Sequence, residues 1–335
     1  MRTLTLTALL PLAVCAVAPV SAFDTVGHVT RYSPALDAIV APDAKIEKLA
    51  EGFTWSEGPV WIAEGQYLLF TDVPANVMYR WSQADGAKPF LKPSGFLGAD
   101  ASGLREPGAN GLFPDKPGWV LVANAGNRTL DRLELATKHK TQLVSTYNGK
   151  KLNSPNDVTR KRDGTLFFTD PPYSLEGIND SPLKELSFNG VYRIGRDGKL
   201  TLIDDSLSFP NGLGLSPDER TLYVANSDPK RPIWMAYSLD AQGNVTGKRV
   251  FADASDLMGE GVSGLPDGMK VSVQGHLYAS APGGLLILSP EGKRLGRIET
   301  GTSIANCAFG DDGRTLYLTS NHFLARIHLL VKGRN

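Results

Sequence analysis

The stretch Ser154-Pro155-Asn156-Asp157-Val158-Thr159-Arg160, running through Lys161-Arg162-Asp163-Gly164 into Thr165-Leu166-Phe167-Phe168-Thr169, decides the fold. A proline-stiffened amide stands at the mouth of a short strand, an Asp-Gly turn follows, and a second apolar strand returns. Gly, and to a lesser degree Asp or Asn, tolerates the positive φ that such tight hairpins need. The same order recurs along the chain, with a short oxygen-bearing residue at each strand mouth. Glu57 stands in Ser-Glu-Gly-Pro-Val-Trp, Asn110 in Ala-Asn-Gly-Leu and Asn156 in the stretch above; Asn211 in Pro-Asn-Gly-Leu, Asp267 in Pro-Asp-Gly-Met and Asn306 in Ala-Asn-Cys-Ala complete six. The gaps are 53, 46, 55, 56 and 39 residues, close to the about 40–50 of propeller repeats.

About ten residues beyond each mouth lies a second strand: Tyr67 to Thr71, Trp119 to Ala123, Leu166 to Thr169, Leu222 to Ala225, Leu277 to Ser280 and Leu316 to Thr319. Outer strands follow, as in Val191 to Ile194, Leu200 to Ile203 and Leu285 to Leu288. No segment sustains a 3.6-residue apolar period, so little helix is expected. The reading is an all-β, six-bladed β-propeller over 23–335. Ala44 to Leu49 is expected to add an outer strand to the last blade and close the ring, which protects sheet edges. The segments 87–109 and 174–188 are expected to be loops over one face.

Equivalent positions of a ring meet on its axis. For one such triplet, turn formation is the simpler explanation, since Asn, Asp and Gly after Pro are turn formers. Six equivalent positions, one of them a glutamate, point instead to a ring of oxygens. Glu57, Asn156, Asn211 and Asp267 are the natural ligand set, their two charges matching a divalent cation. Such an all-oxygen set suits Ca2+ first, with Mg2+, Mn2+ or Zn2+ as alternatives. Asn110 and Asn306 are assigned to substrate binding or backbone capping. Asp170 and Tyr173 are placed at the same mouth, Asp170 equally as a structural turn residue.

The motifs Ser-Glu-Gly-Pro-Val-Trp, Ser-Pro-Asn-Asp-Val, Phe-Thr-Asp-Pro-Pro-Tyr (168–173), Pro-Asn-Gly-Leu and Pro-Asp-Gly-Met-Lys-Val occur in this order. In combination they resemble the gluconolactonase/senescence-marker-protein (regucalcin-like) family. The resemblance implies a propeller that hydrolyses a small-molecule lactone, an aldonolactone such as gluconolactone, with a bound divalent metal. It places the metal ligands on Glu57, Asn156, Asn211 and Asp267. Asp267 is then the candidate general base, Asn156 a second catalytic residue, and Asn110 and Tyr173 substrate contacts. Two alternatives are a metal-dependent phosphotriesterase resembling diisopropyl fluorophosphatase, with Asp267 as nucleophile, and a non-catalytic ligand-binding propeller.

Composition excludes other classes. Basic and acidic residues balance at 35 each, without the basic stripe of a nucleic-acid binder. Gly261-Val262-Ser263-Gly264-Leu265 lacks the last glycine of a nucleophile elbow, and the five histidines form no zinc motif. Arg2, the apolar run from Leu4 to Val17 and Val20-Ser21-Ala22 read as an export signal cleaved after Ala22. The mature protein is then expected in the periplasm, with no membrane segment, as a monomer or weak homo-oligomer. Cys307 would be its sole thiol, buried and inert.

Overall fold

Leu68, Leu69 and Phe70 are consecutive and all fully buried. Side chains alternate across a strand, so this run needs an apolar neighbour on each face. Leu68 and Phe70 pack with Trp61 and Trp81 against Ala308, Tyr317 and Leu324 on one side. Leu69, with Val60 and Met78, packs against Leu112, Val120 and Val122 on the other. Each sheet is thus sandwiched between two others, and six such interfaces close a ring.

The computed structural model describes residues 23–334; the export signal expected over 1–22 lies outside them. The chain forms an all-β, six-bladed propeller of antiparallel sheets. The innermost strands are Ser56–Ile62, Leu112–Pro114, Val158–Arg160, Pro210–Leu215, Met269–Val271 and Asn306–Gly310. The second strands of the blades fall on the six apolar runs read from the sequence. Helix is confined to four short 3-10 turns among the described residues, and no helix there is long and apolar enough to cross a membrane.

Closure comes from the N-terminal segment. Ile46–Glu51 pairs antiparallel with Phe323–His328 and becomes the fourth strand of blade 6, as expected for Ala44 to Leu49 with the boundaries shifted by two residues. Two further pairings have no clear signal in the sequence: Asp24–Thr25 extends blade 6, and His28–Arg31 adds a fifth strand to blade 5. The loop expected over 87–109 starts later, because Gly86–Leu91 is the outer strand of blade 1. Pro89 argues against a strand, but an outer strand has a free edge on which its missing N–H costs nothing. Residues 174–188 are irregular apart from the turn Ile178–Asp180.

The inner strands crowd at the axis. A Cβ on Gly212 would lie 2.3 Å from the Asp267 carbonyl oxygen, and one on Gly58 2.1 Å from that of Asn110. The glycine after a polar mouth residue thus lets one blade back onto the mouth of the next. Blades 3 and 6 break the pattern with Asp157 and Cys307.

Candidate active site

Five of the six mouth residues line one cavity of about 280 Å³: Glu57, Asn110, Asn156, Asn211 and Asp267. Tyr173 joins them, its ring stacked on Phe209 at 5.6 Å and its hydroxyl donating to the Ser227 carbonyl at 3.4 Å. Burial pushes that hydroxyl well above its ordinary pKa, with Asp267 adding to the effect, so the phenol is neutral.

Each mouth residue is held by its backbone. Asn110 donates its N–H to Ala123 and Asn156 to Thr169, both at 2.9 Å, and Asp267 to Ser280 at 3.4 Å. In blades 1 and 4 the register slips between Glu57 and Val60 and between Pro210 and Leu213. Bulges of this kind re-aim a side chain. Asn211 turns its amide nitrogen to Ser227 Oγ at 3.0 Å. Its Oδ1 is left buried without a partner, as is Asn110 Oδ1. A buried acceptor without a donor is costly, and both of these belong to the cavity lining.

The carboxylates show the complementary strain. Burial, joined by the Asp157 charge, pushes Glu57 up to about 7 against the Gly58 N–H, the Asn306 amide and Lys270. Asp267 is raised well above its ordinary value by burial and then by Glu57, Asp157 and Glu106. Like charges sharing a desolvated site disfavour each other's ionised forms. A hard divalent cation would relieve both that repulsion and the orphaned amide oxygens, so the residues present fit such an ion. Among the described residues no trio of carboxylate, imidazole or thiol groups forms a metal cage; a cation here would rest on two carboxylates together with neutral oxygens.

Asn306 does not line the cavity. Its amide turns inward and donates to Glu57 Oε2 at 3.0 Å. Asp170 is not at the cavity either. It is fully buried, and its Oδ2 accepts the Asn153 N–H at 2.8 Å, fixing the backbone three residues before Asn156. Asp72 serves Glu57 in the same way through the N–H groups of Thr54 at 2.9 Å and Trp55 at 3.1 Å. Asn226 serves Asn211 through the Phe209 N–H at 2.9 Å. Thr71-Asp72, Thr169-Asp170 and Ala225-Asn226 at the ends of second strands carried that signal. Cys307 is buried, and burial pushes its thiol up to about 12. His322 is absent from the cavity lining.

Sequence reasoning missed Arg105 and Glu106, which line the cavity as an ion pair. Arg105 N–H donates to the Ser174 carbonyl at 2.9 Å and Glu176 N–H to that of Gly103 at 3.0 Å. The two long loops are thereby joined beside the cavity. Nothing in their composition announces that pairing.

The model of the SMP-30/Gluconolactonase/LRE-like region matches residues 55–322, from just before Glu57 to beyond Asn306. The chain belongs to this family. A gluconolactonase of Zymomonas mobilis is 43% identical over 314 residues, covering 92% of this chain and 88% of that protein. A solved gluconolactonase from Xanthomonas campestris superposes with a TM-score of 0.77 at 30% identity, covering 94% of this family member and all of that chain. Bovine regucalcin is 25% identical over 287 residues, covering 81% and 84%.

Proposed function

We propose that the chain, a lactone-hydrolysing hydrolase by family and relatives, opens a sugar lactone in the cavity between Glu57 and Asp267 with the help of a divalent cation. The observation that carries this reading is the convergence of Glu57, Asn156, Asn211 and Asp267 on one cavity, with an amide oxygen there lacking any donor. These four residues would hold the ion, calcium by the chemistry of the oxygen set. When bound, the cation supplies Lewis-acid polarisation of a carbonyl.

The chain's own groups do the rest. Asp267 reaches the cavity; it is the carboxylate placed to take the proton of the attacking water. Asn156, whose side chain has no hydrogen bond among the described residues to compete, orients the water or the ester. Asn110 and the Arg105 guanidinium supply donors, and the Tyr173 hydroxyl oxygen an acceptor, for the hydroxyl groups of a sugar lactone. Trp55, Leu265 and Ile304 form the apolar part of the wall and limit access of bulk water.

The test is acid release in a pH-stat over a panel of aldonolactones, before and after chelation and with single metals restored. Loss on chelation, recovery with calcium and loss in Asp267→Asn are expected. Full activity after thorough chelation would refute the cation's part. The signal read in residues 1–22 extends the proposal to export into the periplasm. N-terminal sequencing of protein from a periplasmic fraction, expected to begin at Phe23, tests it.

A further inference from the structure

The sixth mouth residue has left the ring and bonded to one of its members. Asn306 is almost fully buried, and its Oδ1 accepts the Cys307 N–H at 2.9 Å and the Lys270 ammonium at 3.4 Å. Both partners are donors, so this atom must be the amide oxygen. The amide nitrogen is then obliged to face Glu57, where it donates to Oε2. The Gly58 N–H donates to the same Oε2. Gly268 makes the placement possible, because a Cβ there would lie 1.9 Å from Asn306 Cγ. Glu57 therefore has one oxygen engaged by two donors and one free.

We propose that Asn306 is a positioning residue that leaves Glu57 a single free oxygen and so sets which size of cation the channel prefers; this rests on the cation reading above. Ca2+ accepts carboxylates through one oxygen or two in a flexible shell, whereas Mg2+ demands near-ideal octahedral geometry. Holding Glu57 to one oxygen withholds the two-oxygen mode from the larger ion. Without the Asn306 donor only the Gly58 N–H remains on Oε2, which leaves that oxygen a lone pair for calcium and loosens the fixed geometry that magnesium needs.

The measurement is isothermal titration calorimetry of Ca2+ alone and Mg2+ alone into chelated full-length protein. In Asn306→Leu, which keeps the branched shape and removes the donor, the ratio of the magnesium Kd to the calcium Kd is expected to rise about tenfold, the lower end of outer-shell effects on metal ligands. Asn306→Ser, too short to reach Glu57, gives the same direction and carries the test should the leucine variant not fold. Lys270→Met removes a cation from beneath the carboxylates but leaves the Cys307 N–H holding the amide. Both Kd values should fall together there, with the ratio unchanged. A ratio within about twofold of wild type in both Asn306 variants overturns the proposal, as does a rise of the ratio in Lys270→Met as large as in the Asn306 variants. Wild-type protein that binds neither ion overturns instead the cation reading on which it rests.

Discussion

Asp170→Asn isolates the charge of one buried carboxylate. Asp170 has no exposed surface, and one of its oxygens lacks any partner. Burial, opposed by the N–H groups of Asn153 and Ser154 and by Arg128, pushes its pKa from 3.8 to about 7. Between those values the folded protein holds a proton that the unfolded chain has lost. Stability therefore falls as pH rises through this window and levels off above it. The full span is on the order of 4 kcal/mol, and about 3 kcal/mol of it falls between pH 5 and pH 8. Asparagine cannot ionise yet still offers Oδ1 to the Asn153 N–H. Blades 2 and 4 already carry Asn124 and Asn226 at this position. Urea denaturation of both proteins at pH 5, 6, 7 and 8 gives the difference in unfolding free energy, from which other titrating groups cancel. That difference should move in favour of the variant by about 3 kcal/mol from pH 5 to pH 8. A difference constant within about 0.5 kcal/mol would show that Asp170 is not buried as a strained carboxylate.

Three further outcomes follow from the same geometry. Asn211→Leu removes an orphaned amide oxygen, so the calcium-induced rise in melting temperature, worth about 2.7 kcal/mol at a hundredfold excess over Kd, should shrink or vanish in differential scanning calorimetry. An unchanged rise would remove Asn211 from the ligand set. A chain starting at residue 52 loses the closing strand Ile46–Glu51 with buried Ile46 and Leu49, together with buried Leu36, Ile39 and Val40. Losing about 1.5–3 kcal/mol for each of these side chains and baring the edge of Phe323–His328, it should unfold earlier and aggregate on light scattering; a monomeric truncation of equal stability would contradict closure by that strand. Cys307, with its thiol pushed up to about 12 by burial, should resist a thiol reagent at pH 8 in native protein and react at once in guanidinium chloride, whereas rapid native labelling would mean that the sixth blade opens.

Much of the propeller was legible because its repeat is written in local chemistry. Phe167 and Phe168 are both buried, each in a different interblade core, so second strands read as unbroken apolar runs with polar residues left only at their ends. Tyr67–Asp72 and Thr315–Ser320 are legible for the same reason. His28–Arg31 was not: a short, polar, half-exposed strand on an outer edge carries no apolar pattern. Pro89 concealed Gly86–Leu91 for the complementary reason, since proline is allowed only where an edge is free.

By itself the sequence determined the repeat, the number of blades and the oxygen atoms available at each mouth, because strand period, turn chemistry and donor identity are properties of neighbouring residues. Only the tertiary structure decided where those oxygens point. Asn211 and Asn306 are alike on paper, each an amide at a strand mouth. One leaves its oxygen bare beside a cavity and the other is turned by Cys307 and Lys270 to hold Glu57. An amide's orientation is set by the partners around it, and for Asn306 these include Lys270 of the neighbouring blade and Glu57, 249 residues away in the chain.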